Sequence, residues 1–178
     1  MFELTNQTVK LSSVNPRAEI HGTEKKPACD LKFEYAADNG ELAHFAPDLR
    51  DALYKAPEDQ GDLIDPERLS VLRFPKMGAF KMEHAGKGYT LTLHYGIGGP
   101  SDVQLSADID SFKLLPQNGG TVIIMFRAVV HPEEGHMGIL CSRVQQNVEI
   151  TLTPPAPNTI GELFGDEPQE EPATADEE

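Results

Sequence analysis

Tyr89-Thr90-Leu91-Thr92-Leu93-His94-Tyr95 is the stretch on which the reading of this chain turns. In an extended backbone successive side chains point to opposite faces. Tyr89, Leu91, Leu93 and Tyr95 therefore share one face, and Thr90, Thr92 and His94 the other. The apolar face needs a core and the threonine face tolerates water, so a half-buried strand is predicted. Downstream, Val103, Leu105, Ala107 and Ile109 repeat the alternation. Pro116-Gln117-Asn118-Gly119-Gly120 reads as a turn into Thr121 to His131, a β-branched and apolar run suited to a central strand. A final strand is expected from about Ile139 to Thr153, with Val144, Val148, Ile150 and Leu152 as core contacts, stopped by Pro154, Pro155 and Pro157. Upstream, Asp30-Leu31-Lys32-Phe33-Glu34-Tyr35 alternates in the same way.

Two short helices interrupt the strands. In Ala46 to Tyr54, Pro47 sits where a first helical turn tolerates it, and Leu49, Leu53 and Tyr54 lie to one side. Asp65 to Leu72 is similar, with Asp65 as N-cap, and the segment 56–65 between them is acidic and loop-like. The expected fold class is mainly β: an antiparallel barrel (OB-like) or sandwich over residues 1–157, with two short helices in an insertion.

The segment from 158 onward is of another kind. Gly161 to Glu178 holds eight carboxylates and no Lys or Arg, and its only large apolar residues are Leu163 and Phe164. Such a segment cannot bury enough apolar surface to offset its ordering entropy, so 158–178 is expected to be a disordered acidic tail. Leu163, Phe164, Asp166 and Glu167 are its candidate partner-binding residues. Ile160-Gly161-Glu162-Leu163-Phe164 resembles the Leu-Phe ending of bacterial sliding-clamp peptides, without their leading glutamine.

The formal net charge is −14, and the tail carries eight of those charges. The remainder, 21 acids against 15 bases, is mildly acidic and compatible with an anionic ligand if its bases cluster on one face. At long range the whole chain should be repelled from duplex DNA and bare membrane. Cys29 and Cys141 are expected to be buried free thiols in a reducing compartment. Met1-Phe2-Glu3-Leu4 has neither the basic nor the apolar region of a secretory signal, and Val122 to Phe126 is too short to span a bilayer. A soluble protein of the cytoplasm is the expectation.

Bases cluster in one place. Arg73 to Tyr95 holds Arg73, Lys76, Lys81 and Lys87 against one acid, Glu83, interleaved with Phe74, Phe80, His84, Tyr89, His94 and Tyr95. Cations that follow a phosphate backbone beside rings on which bases stack are what a single-strand nucleic-acid surface requires. Arg73, Phe74, Lys76, Phe80, Lys81, Lys87 and His94 are the candidate binding residues. Tyr89 and Tyr95 share a face with leucines and belong with the core. His131-Pro132-Glu133-Glu134-Gly135-His136 offers two imidazoles and two carboxylates, but its Pro and Gly mark a turn, so no metal is expected. Gly96-Ile97-Gly98-Gly99-Pro100 lacks the Lys-Ser/Thr of a phosphate loop and reads as a hairpin. With no nucleophile elbow, Cys–His signature or paired carboxylates, neither catalysis nor a cofactor is expected.

Three stretches carry a family resemblance: Phe2 to Glu19, Leu72-Arg73-Phe74-Pro75-Lys76, and Val148 to Pro155. They resemble a protein family of tailed phages and prophages, which brings no catalytic residues with it. The resemblance implies a phage protein of the host cytoplasm, from the DNA-metabolism part of a genome. The chain is also similar in plan to phage single-stranded-DNA-binding proteins, which join an OB-type barrel to an acidic tail, although this tail ends Asp176-Glu177-Glu178 rather than in an aromatic residue. The leading expectation is a non-enzymatic accessory protein of phage replication or recombination that binds single-stranded nucleic acid. Its tail would modulate binding and recruit phage or host replication and recombination proteins; a homo-oligomer is compatible with this. The alternatives are an acidic interaction protein, acting as a DNA mimic or anti-defence inhibitor of a host complex, and a structural component of the virion.

Overall fold

A computed structural model describes residues 1–57, 69–95 and 102–156. The expected tail with its Leu163, Phe164, Asp166 and Glu167, and the expected hairpin at Gly96 to Pro100, lie outside the described residues, as does the first half of the expected helix from Asp65 (65–68).

Nine strands are described: β1 (Leu4–His21), β2 (Glu24–Asp38), β3 (Tyr54–Lys55), β4 (Val71–Leu72), β5 (Phe80–Lys81), β6 (Gly86–His94), β7 (Val103–Gln117), β8 (Thr121–Val130) and β9 (Asn147–Thr153). Six of them pair in the order β7-β6-β9-β1-β2-β8, and β8 returns to pair with β7, so the sheet closes on itself as an antiparallel barrel. Closure removes the open edges that a sandwich would leave. The barrel is OB-like with a sixth strand. β5 adds to the second half of β7, and β3 and β4 form a separate two-stranded ribbon.

Alternation fills the barrel. β8 is the cleanest case, with Val122, Ile124, Phe126, Ala128 and Val130 buried and the intervening residues half-buried. β6 contributes Tyr89, Leu91 and Leu93, and β9 contributes Ile150 and Leu152. Phe2, with no exposed surface, enters from the N-terminus and packs on Phe45, Phe112 and Phe126. Phe112 and Phe126 stack with centroids 5.6 Å apart. Truncating a ring so enclosed costs about 3–5 kcal/mol.

β7 changes direction midway. Its pairing with β8 shifts between Asp110 and Lys113, and Ser111 there has φ 57°, in the left-handed region. The bulge lets Ile109 and Phe112 both face inward, one residue out of simple alternation.

Several expectations need correction. The final strand is shorter than predicted: Glu134–Ser142 is a helix, α2, and only Asn147–Thr153 is strand. Leu140 is buried, and Met137 and Ile139 also pack on the core, so a compact helix rather than an extended strand carries these apolar residues. The predicted turn at His131 to His136 is divided, with His136 already on α2. Cys29 is buried but Cys141, on α2, is exposed. Of the predicted helices, Ala46 to Tyr54 is reduced to α1 (Leu49–Leu53), preceded by a 3-10 turn at Asn39–His44. Val71 and Leu72, read as the end of the other helix, are β4. Buried Asn39 holds this insertion to the barrel: its amide donates to Leu69 O at 2.6 Å and its carbonyl accepts from Arg50 Nε at 3.0 Å. No helix among the described residues is long and apolar enough to cross a membrane.

Candidate nucleic-acid interface

The segment 73–79 links β4 to β5. Arg73 Nε donates to the carbonyls of Asp51 and Tyr54, at 2.9 and 3.0 Å, which fixes the start of the segment to the insertion. Beyond it the chain turns, with Met77 N donating to Phe74 O at 2.9 Å, and Phe74 stands 56% exposed, with Lys76 and Met77 also exposed. A ring of that exposure lies outside the core and keeps more than half its surface in water. It is the ring of the candidate set that is free to stack. Phe80 is half-buried and packs against the core. His94 has both ring nitrogens engaged: Nδ1 donates to Asp102 at 2.8 Å, and Nε2 lies 2.8 Å from Thr151 Oγ1. The His94 bond, together with the Tyr95 N–H, holds the Asp102 carboxyl below the usual carboxylate range. Tyr89 is buried as expected, whereas Tyr95 is half-buried beneath the Arg143 guanidinium, 4.5 Å from its ring centre. Lys87 is exposed at the start of β6.

Lys81 belongs to a larger assembly. β5 places it on the outer wall of the barrel, in a concavity of about 600 Å³ that also receives Lys32, Lys113 and Arg127. These four cations come from β5, β2, β7 and β8. Register explains the convergence: Lys81 is directly opposite Lys113, and Lys32 directly opposite Arg127. Met82 and Met125 supply half-buried apolar surface to the same concavity. Arg127 is committed in part, with two bonds to Asp110 (2.7 and 2.6 Å) and a longer one to Asp30 (3.5 Å). The Arg127 guanidinium in turn draws the Asp110 carboxyl below its ordinary value. Lys32, Lys81 and Lys113 make no ion pair among the described residues.

The structure therefore connects Phe74 and Lys76 to a groove through one short run of chain ending at Lys81, and places Arg73 and His94 in structural bonds. The sequence alone did not single out Lys32, Lys113 and Arg127, which look like ordinary solvent-facing members of alternating strands until the register is known. Among the described residues no group of His, Cys, Asp and Glu is arranged to hold a metal ion. No family model, curated protein or solved structure matches this chain.

Proposed function

We propose that the protein binds single-stranded nucleic acid on the outer wall of the barrel, as an accessory protein of phage DNA replication or recombination. The observation that carries this reading is three lysines, Lys32, Lys81 and Lys113, with no ion pair among the described residues, in one concavity reached through a segment that exposes Phe74. Lysines attract phosphate and release its counterions, while the ring stacks on a base whatever its identity. A protein of net charge −14 gathers such a cluster against its own average.

The acidic tail completes the reading. The last described residues lie beside Lys87, since a side chain at Gly88 would meet Pro155 at 3.9 Å. Residues 157–178 number 22, and an extended chain spans about 3.3 Å per residue, so reach does not keep the tail from the groove. Its eight carboxylates would compete with nucleic acid for the same lysines and offer Leu163 and Phe164 to a protein partner. Ending the chain after Pro157 should tighten binding to single-stranded DNA; unchanged affinity would remove the tail from the mechanism. The DNA-mimic alternative draws less support, because Asp38 caps the 3-10 turn and Glu41 pairs with His44.

A further inference from the structure

The groove has a closed plan. Its outward rows run across the strands: Lys10, Glu34, Met125, Lys113 and Lys81 in one, and Ser13, Lys32, Arg127 and Asp110 in the next. With strands about 4.8 Å apart, the distance from Lys32 on β2 to Lys81 on β5 is about 15 Å, short enough for the lysine stems to lean toward one centre. Carboxylates interrupt the positive charge, with Glu34 standing between the groove and Lys10 on the β2 side. Glu83 follows Lys81 on the β5 side, and Asp110 closes the Arg127 corner. A phosphodiester backbone running through in either direction would pass a carboxylate.

Two like-charged pairs also face each other directly, Lys81 with Lys113 and Lys32 with Arg127. Like charges opposite one another destabilise a sheet. Asp110 and Asp30 relieve Arg127, but nothing among the described residues relieves Lys81 and Lys113. A compact anion of high charge density would do so. A phosphomonoester carries about −1.5 to −2 at neutral pH and three acceptor oxygens, where each internal diester carries a single charge. A volume near 600 Å³ is also that of a small-ligand site rather than a long channel.

We infer that this groove is a phosphomonoester site, so that the protein holds a strand by its terminal phosphate rather than along its length. The inference rests on the single-strand reading for the source of the phosphate, but not for the site itself. The terminal phosphate of a strand and a free mononucleotide share the same chemistry.

The test uses the full chain and dT oligonucleotides of about 12 nucleotides, within the footprint of one barrel of this kind. One oligonucleotide ends in a phosphate and the other in hydroxyls. Binding is measured for both, and thermal unfolding is followed with inorganic phosphate and with dTMP. The expected result is about tenfold or greater preference for the phosphorylated end, from the added charge-assisted bonds. Lys113→Gln and Lys32→Gln should abolish that preference, while Lys26→Gln, an exposed lysine near the hairpin turn, should keep it. Equal binding of the two oligonucleotides overturns the inference and leaves single-strand binding standing. A preference that survives in both groove variants overturns it too, because the phosphate is then held elsewhere. If neither oligonucleotide binds, but phosphate or dTMP raises the melting temperature of the wild type and not of Lys113→Gln, the site stands and the single-strand reading falls. No binding of any probe overturns both.

Discussion

Lys81 of β5 sits directly across the sheet from Lys113 of β7, and no carboxylate among the described residues comes within ion-pair distance of either. Elsewhere in the sheet Arg17 is relieved by Asp30 and Arg127 by Asp110; Lys81 and Lys113 have no such relief among the described residues, and their opposition costs stability. Replacing Lys113 by Gln should therefore stabilise the protein by about 0.2–1 kcal/mol, the range for cross-strand charge effects. The same change should weaken nucleic-acid binding. Urea unfolding checks the first half, and a lowered midpoint would show that the two ammonium groups do not repel.

Arg127 and Asp110 join β8 to β7 just where β7 bends. The folded Asp110 has a lower pKa than the unfolded carboxyl, whose ordinary value is 3.8, chiefly because Arg127 hydrogen-bonds it. A depressed carboxyl contributes stability that is fully present above the unfolded value and is lost as pH falls through the folded one. Asp110→Asn should thus leave stability less sensitive to pH below about 4 and cost about 0.2–1 kcal/mol near neutrality, since the pair is partly exposed. Unfolding midpoints across the acid range test both statements.

Ser111 holds φ 57° at the bulge beside the groove. Glycine adopts this conformation freely, whereas a β-branched residue resists it. Ser111→Gly should be near neutral in stability and Ser111→Val should lose about 1–3 kcal/mol. If valine is tolerated as well as glycine, the bend of β7 does not depend on that backbone conformation.

Phe74 and Phe80 look alike in the sequence but not in the structure. Phe74→Ala should leave the unfolding midpoint unchanged and weaken single-strand binding by about 1–3 kcal/mol, the contribution of one stacked base. Phe80→Ala should act mainly on stability, because its ring packs on the core. Paired thermal melts and binding titrations separate the two effects.

These contrasts mark what the sequence could and could not reveal. β6 and the first half of β7 were legible because strict alternation leaves one reading of their faces. β1, at 18 residues the longest strand, was not: its pairing slips between Leu4 and Gln7 and again between Leu11 and Ser13, and Asn6 has φ 49°, so no single period runs through it. α2 was read as strand because Ile139, Leu140, Cys141 and Val144 form a short apolar run, which fits a strand or a buried helix equally by periodicity. Lys81 was singled out because it lies in a local run of bases. Lys32, Lys113 and Arg127 are distant in sequence and meet only through the register of β2, β8 and β7, which no local signal supplies.

Binding of single-stranded nucleic acid in the groove is measured by fluorescence anisotropy of a labelled dT oligonucleotide titrated over a range of salt. The full chain, a chain ending at Pro157, and the full chain with Lys32, Lys81 and Lys113 all changed to Gln are compared. Binding should be saturable, with its logarithm falling with log salt at a slope of about −2, as three displaced counterions require on a single strand. Binding should be tighter without the tail and lost in the triple variant. Absence of binding by both the full and shortened chains at low salt, or undiminished binding by the triple variant, would contradict binding in the groove.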